Sequence, residues 1–245
     1  MNVQKLPWAG VRIESGGTAI VIDPLYHFPA KFGEARELMR PLSEFGPVEA
    51  VFVTHHHEDH FDPKAIAAFY GSGVPVYLPA DGVPLAGETG LGNLRGVALG
   101  ETVTVGPLRV TASWSVDGVG DPQVCWIVSD GNRTILHGGD TLWHGYWWKM
   151  ARMYGPFDAA LLPVNGAVVE LPGLVPSGQP ISLTPEQAVA AAKVLGAGRL
   201  VPIHWRTVHH PPVYRQTPDV AERLAAAARG VVELTVLNTG EVARL

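Results

Sequence analysis

A chain of 245 residues, 47% hydrophobic and only 17% charged, has enough apolar material for a substantial core and is not a disordered polymer. Its formal charge of −5 argues against a phosphate-backbone partner, so nucleic acid is disfavoured. A single cysteine, Cys125, excludes an intrachain disulfide and fits a reducing cytoplasm; nothing from Met1 onward reads as a secretory leader, and no apolar run reaches the roughly 18 residues that span a bilayer.

The first quarter reads as strands. Residues 11–14 alternate, Gly16-Gly17 supplies a turn, and residues 18–22 form an apolar run ending at Asp23-Pro24, which predicts a hairpin. A short apolar strand over 50–53 leads into Thr54-His55-His56-His57-Glu58-Asp59-His60. Asp62-Pro63 then offers an N-cap followed by proline at the first helical position, with Ile66, Phe69 and Tyr70 as the apolar face. Strands are expected at 76–78, 102–105, 108–113, 125–128 and 134–137, with a Gly/Pro-rich loop and a short helix between 79 and 96. A helix over 146–153 and a strand over 159–162 follow, then a long, mildly apolar loop over 164–183. Thr184-Pro185-Glu186-Gln187 resembles a capping box, and Ala188, Ala191, Ala192 and Leu195 recur at helical spacing. A strand over 200–203 ends at His204, and Thr217-Pro218 opens a last helix that Gly230 closes. With no linker-like break and no internal repeat, residues 1–245 read as one domain.

The chemistry concentrates in His55-x-His57-x-Asp59-His60, where four potential metal ligands crowd together directly after a strand. Ligands so closely spaced cannot all face one way on a regular element, but they converge if the strand ends and the chain turns sharply, as in many dinuclear sites. Asp140, in His137-Gly138-Gly139-Asp140-Thr141, follows another strand, and the paired glycines would let backbone pass close to a buried site. Taken alone, Asp140 is equally a turn former and His204 a structural histidine. Asp23 is either a turn residue or a carboxylate that orients an imidazole.

Together these residues resemble the metallo-β-lactamase superfamily. The match runs from Val11 to about His204. Gly10-Val11-Arg12-Ile13-Glu14, Ile22-Asp23-Pro24 and the Thr184 helix before Pro202-Ile203-His204 resemble in particular its ascorbate-6-phosphate lactonase-like and N-acyl-phosphatidylethanolamine phospholipase-like branch. The resemblance implies an α/β fold, the four-layer αββα sandwich, with the site at one edge between two sheets. It implies two divalent ions (zinc, manganese or iron), the first held by His55 and His57, the second by Asp59, His60 and His204, with Asp140 bridging. It further implies solvent held between the ions attacking the substrate, homo-oligomers being common among similar proteins.

One position departs from the family pattern. Where the family places a further histidine for the first ion, this chain reads Trp114-Ser115-Val116-Asp117. Asp117 either replaces it as an oxygen ligand, favouring harder metals such as manganese, iron or magnesium, or is a turn residue before Gly118. His144 is a third candidate, as a substitute imidazole, a substrate contact, or simply a packing residue beside Trp143 and Trp147. His56 is expected to point away, His209 and His210 to lie in a solvated loop, His137 to pack, and Cys125 to be a buried small hydrophobe. The 164–183 loop, with Trp143, Trp147 and Trp148, suggests an apolar lid. The expected function is a cytoplasmic, metal-dependent hydrolase cleaving an ester, lactone or phosphoester bond of a small molecule. The alternatives are a nuclease, or a metal-binding protein with an altered first site and a sensing or redox role.

Overall fold

The computed structural model describes all of residues 1–245 and contains two seven-stranded sheets. The first runs β16 (Val242–Arg244), β1 (Asn2–Lys5), β2 (Val11–Ser15), β3 (Thr18–Ile22), β4 (Ala50–Phe52), β5 (Val76–Pro79) and β6 (Leu94–Val97). The second, from its other edge, runs β7 (Thr102–Val105), β8 (Leu108–Trp114), β9 (Val124–Ser129), β10 (Thr134–His137), β11 (Ala159–Pro163), β13 (Arg199–Ile203) and β15 (Glu233–Leu234). A two-stranded ribbon joins β12 (Val168–Val169) to β14 (Tyr214–Arg215).

Strand alternation sorts the side chains into three cores. Ile20, Ile22 and Phe52 of the first sheet meet Val110, Trp126, Ile135 and Leu161 of the second in the central layer. Their immediate neighbours face outward: Val21 and Val51 pack beneath α1 (Pro63–Tyr70) through Ala65 and Ile66. Cys125, Leu136 and Leu162 pack beneath α2 (Trp147–Tyr154), α3 (Pro185–Leu195) and α4 (Val220–Ala228). Strands buried on both faces read as continuous apolar runs because each side chain has a core to enter. The result is the αββα order, and no helix is long and apolar enough to cross a membrane.

Local sequence accounts for most element ends. The Asp62 side chain accepts a hydrogen bond from Ala65 N, and Thr184 with Gln187 forms a complete capping box. The last helix departs from expectation. It begins at Val220, because the Thr217 hydroxyl donates to the Gly166 carbonyl across the fold, and Asp219 at φ 50° interrupts the approach. Gly230, at φ 70°, does lie just beyond its end. The 79–96 segment holds a short 3-10 helix and also strand β6, which its glycines concealed.

What positions the site is direction. β3, β4, β5 and β6 are parallel, as are β10, β11, β13 and β15. The C-terminal ends of β3, β4, β10, β11 and β13 deliver Asp23, the histidine cluster, Asp140, Asn165 and His204 to one edge of the sandwich. Ligand sites of open α/β sheets form outside such carboxyl ends.

Candidate metal centre

After β4 the chain turns tightly, with the His57 carbonyl accepting from both His60 N (2.9 Å) and Phe61 N (2.8 Å). Asp23, fully buried at φ 48°, anchors the turn. Its carboxylate accepts from Thr54 N and from the Thr54 hydroxyl, each at 2.7 Å, and from His60 Nδ1 at 2.8 Å. His55 Nδ1 in turn donates to the Thr54 oxygen at 3.0 Å. Asp23 is thus an orienting carboxylate as well as a turn residue. Gly139, at φ 67°, lets the Asp140 loop pass over Thr54: a Cβ there would sit 2.9 Å from Thr54 Oγ1.

Two rings have their Nδ1 engaged in this way and a third follows the pattern, His204 Nδ1 facing Asn165 Oδ1 at 3.3 Å. Their Nε2 atoms are consequently free to face the centre. His204 Nε2 lies 3.7 Å from Asp59 Oδ2 and 3.6 Å from Asp140 Oδ2, and His60 Nε2 lies 3.7 Å from Asp59 Oδ2. His57 is reversed: its Nε2 donates to Asp121 Oδ2 at 2.8 Å and its Nδ1 lies 3.7 Å from Asp117 Oδ2. Asp59 Oδ2 also accepts from Trp8 Nε1 at 3.1 Å.

The donor atoms form overlapping triplets, each within 4.8 Å: His55, His57 and Asp117; His55, His60 and Asp140; Asp59, His60 and His204. Nε2 of His55, His60 and His204 and Oδ1 of Asp140 are buried without any hydrogen-bond partner. Buried polar atoms are ordinarily paired, and four unpaired ones grouped with further carboxylates fit a cation. No thiolate contributes, and an imidazole and carboxylate set suits zinc, iron or manganese.

Electrostatics divide the cluster, holding His55, His204 and Asp59 towards their unprotonated forms and His60 and Asp140 towards their protonated ones. Burial, then the neighbouring His60, holds His55 well below the usual imidazole range. Burial lowers His204 to about 4, outweighing the contact with Asp59. His60 is raised to about 9: burial opposes its charge, but Asp59 and Asp23 overcome it. Asp59 lies below the usual carboxylate range, burial being overcome by His60 and His204. Asp140 is pushed well above it by burial, His60 opposing, with Asp117 and Asp59 adding to the rise.

A cavity of about 480 Å³ opens over the cluster. His57, Asp59, Asp117, Asp121 and Asp140 give it polar surface, and Phe32, Val169, Leu171, Leu174 and Ile181 give it apolar walls. Segment 164–183 therefore does cover the site, fastened by β12 pairing with β14. The tryptophans do not: none lines the cavity, Trp147 is fully buried in the outer core, and Trp143 and Trp148 are 37% and 49% exposed. His144 also stands apart from the cluster. Its ring stacks on Trp147 at 4.1 Å and its Nδ1 accepts from Tyr146 N, a packing role at the start of α2. His56 is partly exposed, with Nε2 3.9 Å from Asp121 Oδ2. His137 donates from Nε2 to the Ala9 carbonyl at 2.9 Å, Cys125 is buried, and His209 and His210 line a separate surface depression.

Four residues at the site lie outside the sequence reading: Trp8, Asp121, Asn165 and Tyr214, the last of which lines the cavity. Asp121, in Gly120-Asp121-Pro122, was the most accessible, being a second carboxylate in the turn that carries Asp117.

Residues 18–205 match the family model described as "Beta-lactamase superfamily domain". A protein of Rubrobacter xylanophilus named UPF0173 metal-dependent hydrolase is 28% identical over 238 residues, covering 92% of this chain and 88% of its own. Among solved structures, an isothiocyanate hydrolase from Delia radicum gut bacteria is similar with TM-score 0.76 at 22% identity, covering 100% of this chain and 99% of its own. CmlA, a diiron β-hydroxylase from Streptomyces venezuelae, is similar with TM-score 0.75 at 17% identity, over all of this chain but 54% of its own.

Proposed function

This chain belongs to the beta-lactamase superfamily and has its metallo-β-lactamase fold, and from that premise and the site's geometry we infer that it is a metal-dependent hydrolase of small molecules. Its proposed reaction is the cleavage of an ester, lactone or phosphoester bond. The observation that carries this reading is that His55, His60, His204 and Asp140 belong to overlapping buried donor groups and have their inner atoms unpaired.

His55, His57 and Asp117 would hold a first divalent ion, and Asp59, His60 and His204 a second. Asp140 groups with His55 of one set and His60 of the other, which supports the reading of Asp140 as a carboxylate that both ions would share. Bound there, such ions supply positive charge that polarises a carbonyl or phosphoryl oxygen and lowers the pKa of water. The chain's own contribution is positional. Asp23 and Thr54 fix the tautomers of His60 and His55, Asp121 fixes that of His57, and Asn165 that of His204. The apolar walls from Phe32 to Ile181 favour a substrate with an apolar substituent.

Elemental analysis of protein purified without chelator, joined to a screen of esters, lactones and phosphodiesters, tests the reading. Two equivalents of zinc, manganese or iron are expected, with turnover that chelation abolishes. Fully loaded protein that hydrolyses nothing in the screen would sink it. Asp140→Ala is expected to lose both turnover and metal; retaining both would refute the bridging role. The likeness to a diiron hydroxylase supports one second reading, oxygen chemistry at an iron pair, which would show as oxygen consumption with a reductant.

A further inference from the structure

Asn165, at the end of β11, is buried and serves three partners at once. Its Oδ1 accepts from the Ser182 hydroxyl at 2.6 Å and faces His204 Nδ1 at 3.3 Å; its Nδ2 donates to the Tyr214 hydroxyl oxygen at 2.8 Å. These roles are not interchangeable. If His204 is to present an unprotonated Nε2 to the centre, its hydrogen sits on Nδ1 and must meet an acceptor, which fixes the amide oxygen on that side. The amide nitrogen then faces Tyr214, and the Tyr214 oxygen can only accept. Its own hydrogen is left over, and no group of this chain takes it.

Tyr214 is 3% exposed, yet it lines the same cavity as Asp59 and Asp140. Its ring is fixed by an edge-on contact with Phe32, centroids 5.3 Å apart, and its backbone pairs with the covering segment through β12. A held hydroxyl with one spare hydrogen, beside a metal-type cluster and under an apolar cover, is a preorganised donor to a ligand oxygen.

We propose that Tyr214 is a catalytic hydrogen-bond donor, contacting the substrate oxygen on which negative charge builds. The proposal rests on the hydrolase reading for its chemistry, but its test does not. Phenylphosphonate, an oxyanion with an apolar substituent, is titrated calorimetrically into metal-loaded wild type and Tyr214→Phe. The variant keeps the ring and loses only the hydroxyl. About tenfold weaker phosphonate binding, with metal content unchanged and Tm lowered by a few degrees at most as the Asn165 amide loses its acceptor, is the expected result, as is a fall in kcat of about 10–100-fold at similar KM on any ester turned over. Equal affinity in both proteins overturns the donor role, and so does a wild type that binds no phosphonate. Loss of metal by Tyr214→Phe also overturns it, since the hydroxyl would then be a strut for Asn165 and His204. A wild type that binds phosphonate but hydrolyses nothing fails the hydrolase reading alone, and the binding comparison still decides Tyr214.

Discussion

Asp121 Oδ2 lies 2.8 Å from His57 Nε2, and that contact decides which nitrogen of His57 faces Asp117. With the hydrogen held on Nε2, the lone pair of Nδ1 is presented to the triplet that includes His55. Carboxylates behind a ligating imidazole typically contribute 10–100-fold in metal affinity. Asp121→Ala is expected to weaken the first site by about that factor and leave the second unchanged. A competitive chelator titration resolving the two sites checks this, and equal loss at both would contradict the assignment.

Asp117 divides its two oxygens between two tasks. Oδ1 accepts from Val119 N at 2.8 Å and Asp121 N at 3.1 Å, closing the turn, while Oδ2 faces His57 Nδ1. Asp117→Asn preserves the turn acceptor and removes the charge. The expected outcome is an unchanged Tm of the metal-free protein with weaker metal binding at the first site, manganese affected more than zinc because it favours harder oxygen donors. Unaltered affinity for both metals would place Asp117 outside the coordination sphere.

How much of this centre the sequence discloses follows from chain distance. His55, His57, Asp59 and His60 are legible because one turn carries them all, and Asp140 and His204 because each ends an apolar strand. Trp8 and Asn165 are not, since their partners Asp59 and His204 lie 51 and 39 positions away and neither residue type signals metal chemistry. The fold shows the same divide. Long apolar strands and the helix caps of local origin at Asp62 and Thr184 are readable, whereas the two-residue strands β12 and β14 exist only through pairing with each other. Thr217 misleads for the same reason: its side chain answers to Gly166, 51 positions away, and not to the helix it precedes.

If His60 is a ligand as proposed, metal uptake should depend on pH. In the metal-free protein its pKa is raised from 6.5 to about 9, burial being outweighed by Asp59 and Asp23. A raised folded-state pKa contributes stability that is complete below 6.5 and is lost as pH climbs through about 9. Metal needs the deprotonated Nε2, so affinity rises over the same interval and uptake releases protons. The Tm difference between loaded and metal-free protein is therefore expected to widen from pH 6.5 to 9. Scanning calorimetry at matched free metal, with buffers of different ionisation enthalpy to count released protons, checks both. A constant difference with no proton release would show that His60 does not ligate.

Trp8 ties the amino terminus to the second triplet. Its Nε1 donates to Asp59 Oδ2 at 3.1 Å, its ring lies 3.9 Å from that of His204, and its carbonyl accepts from His204 N at 3.2 Å. Trp8→Phe keeps an aromatic ring against His204 and removes the one donor to a buried carboxylate. A hydrogen bond to a charged group is worth about 1.5–3 kcal/mol, so urea denaturation in chelator should show a loss of that order at pH 7. The effect on metal binding separates two roles for the indole. If it orients Asp59, second-site affinity falls while the first site holds; if it only fills space, stability drops with affinity intact. Orientation is the expected outcome, because Asp59 Oδ2 is the oxygen that faces both His60 and His204, and the indole fixes where that oxygen lies.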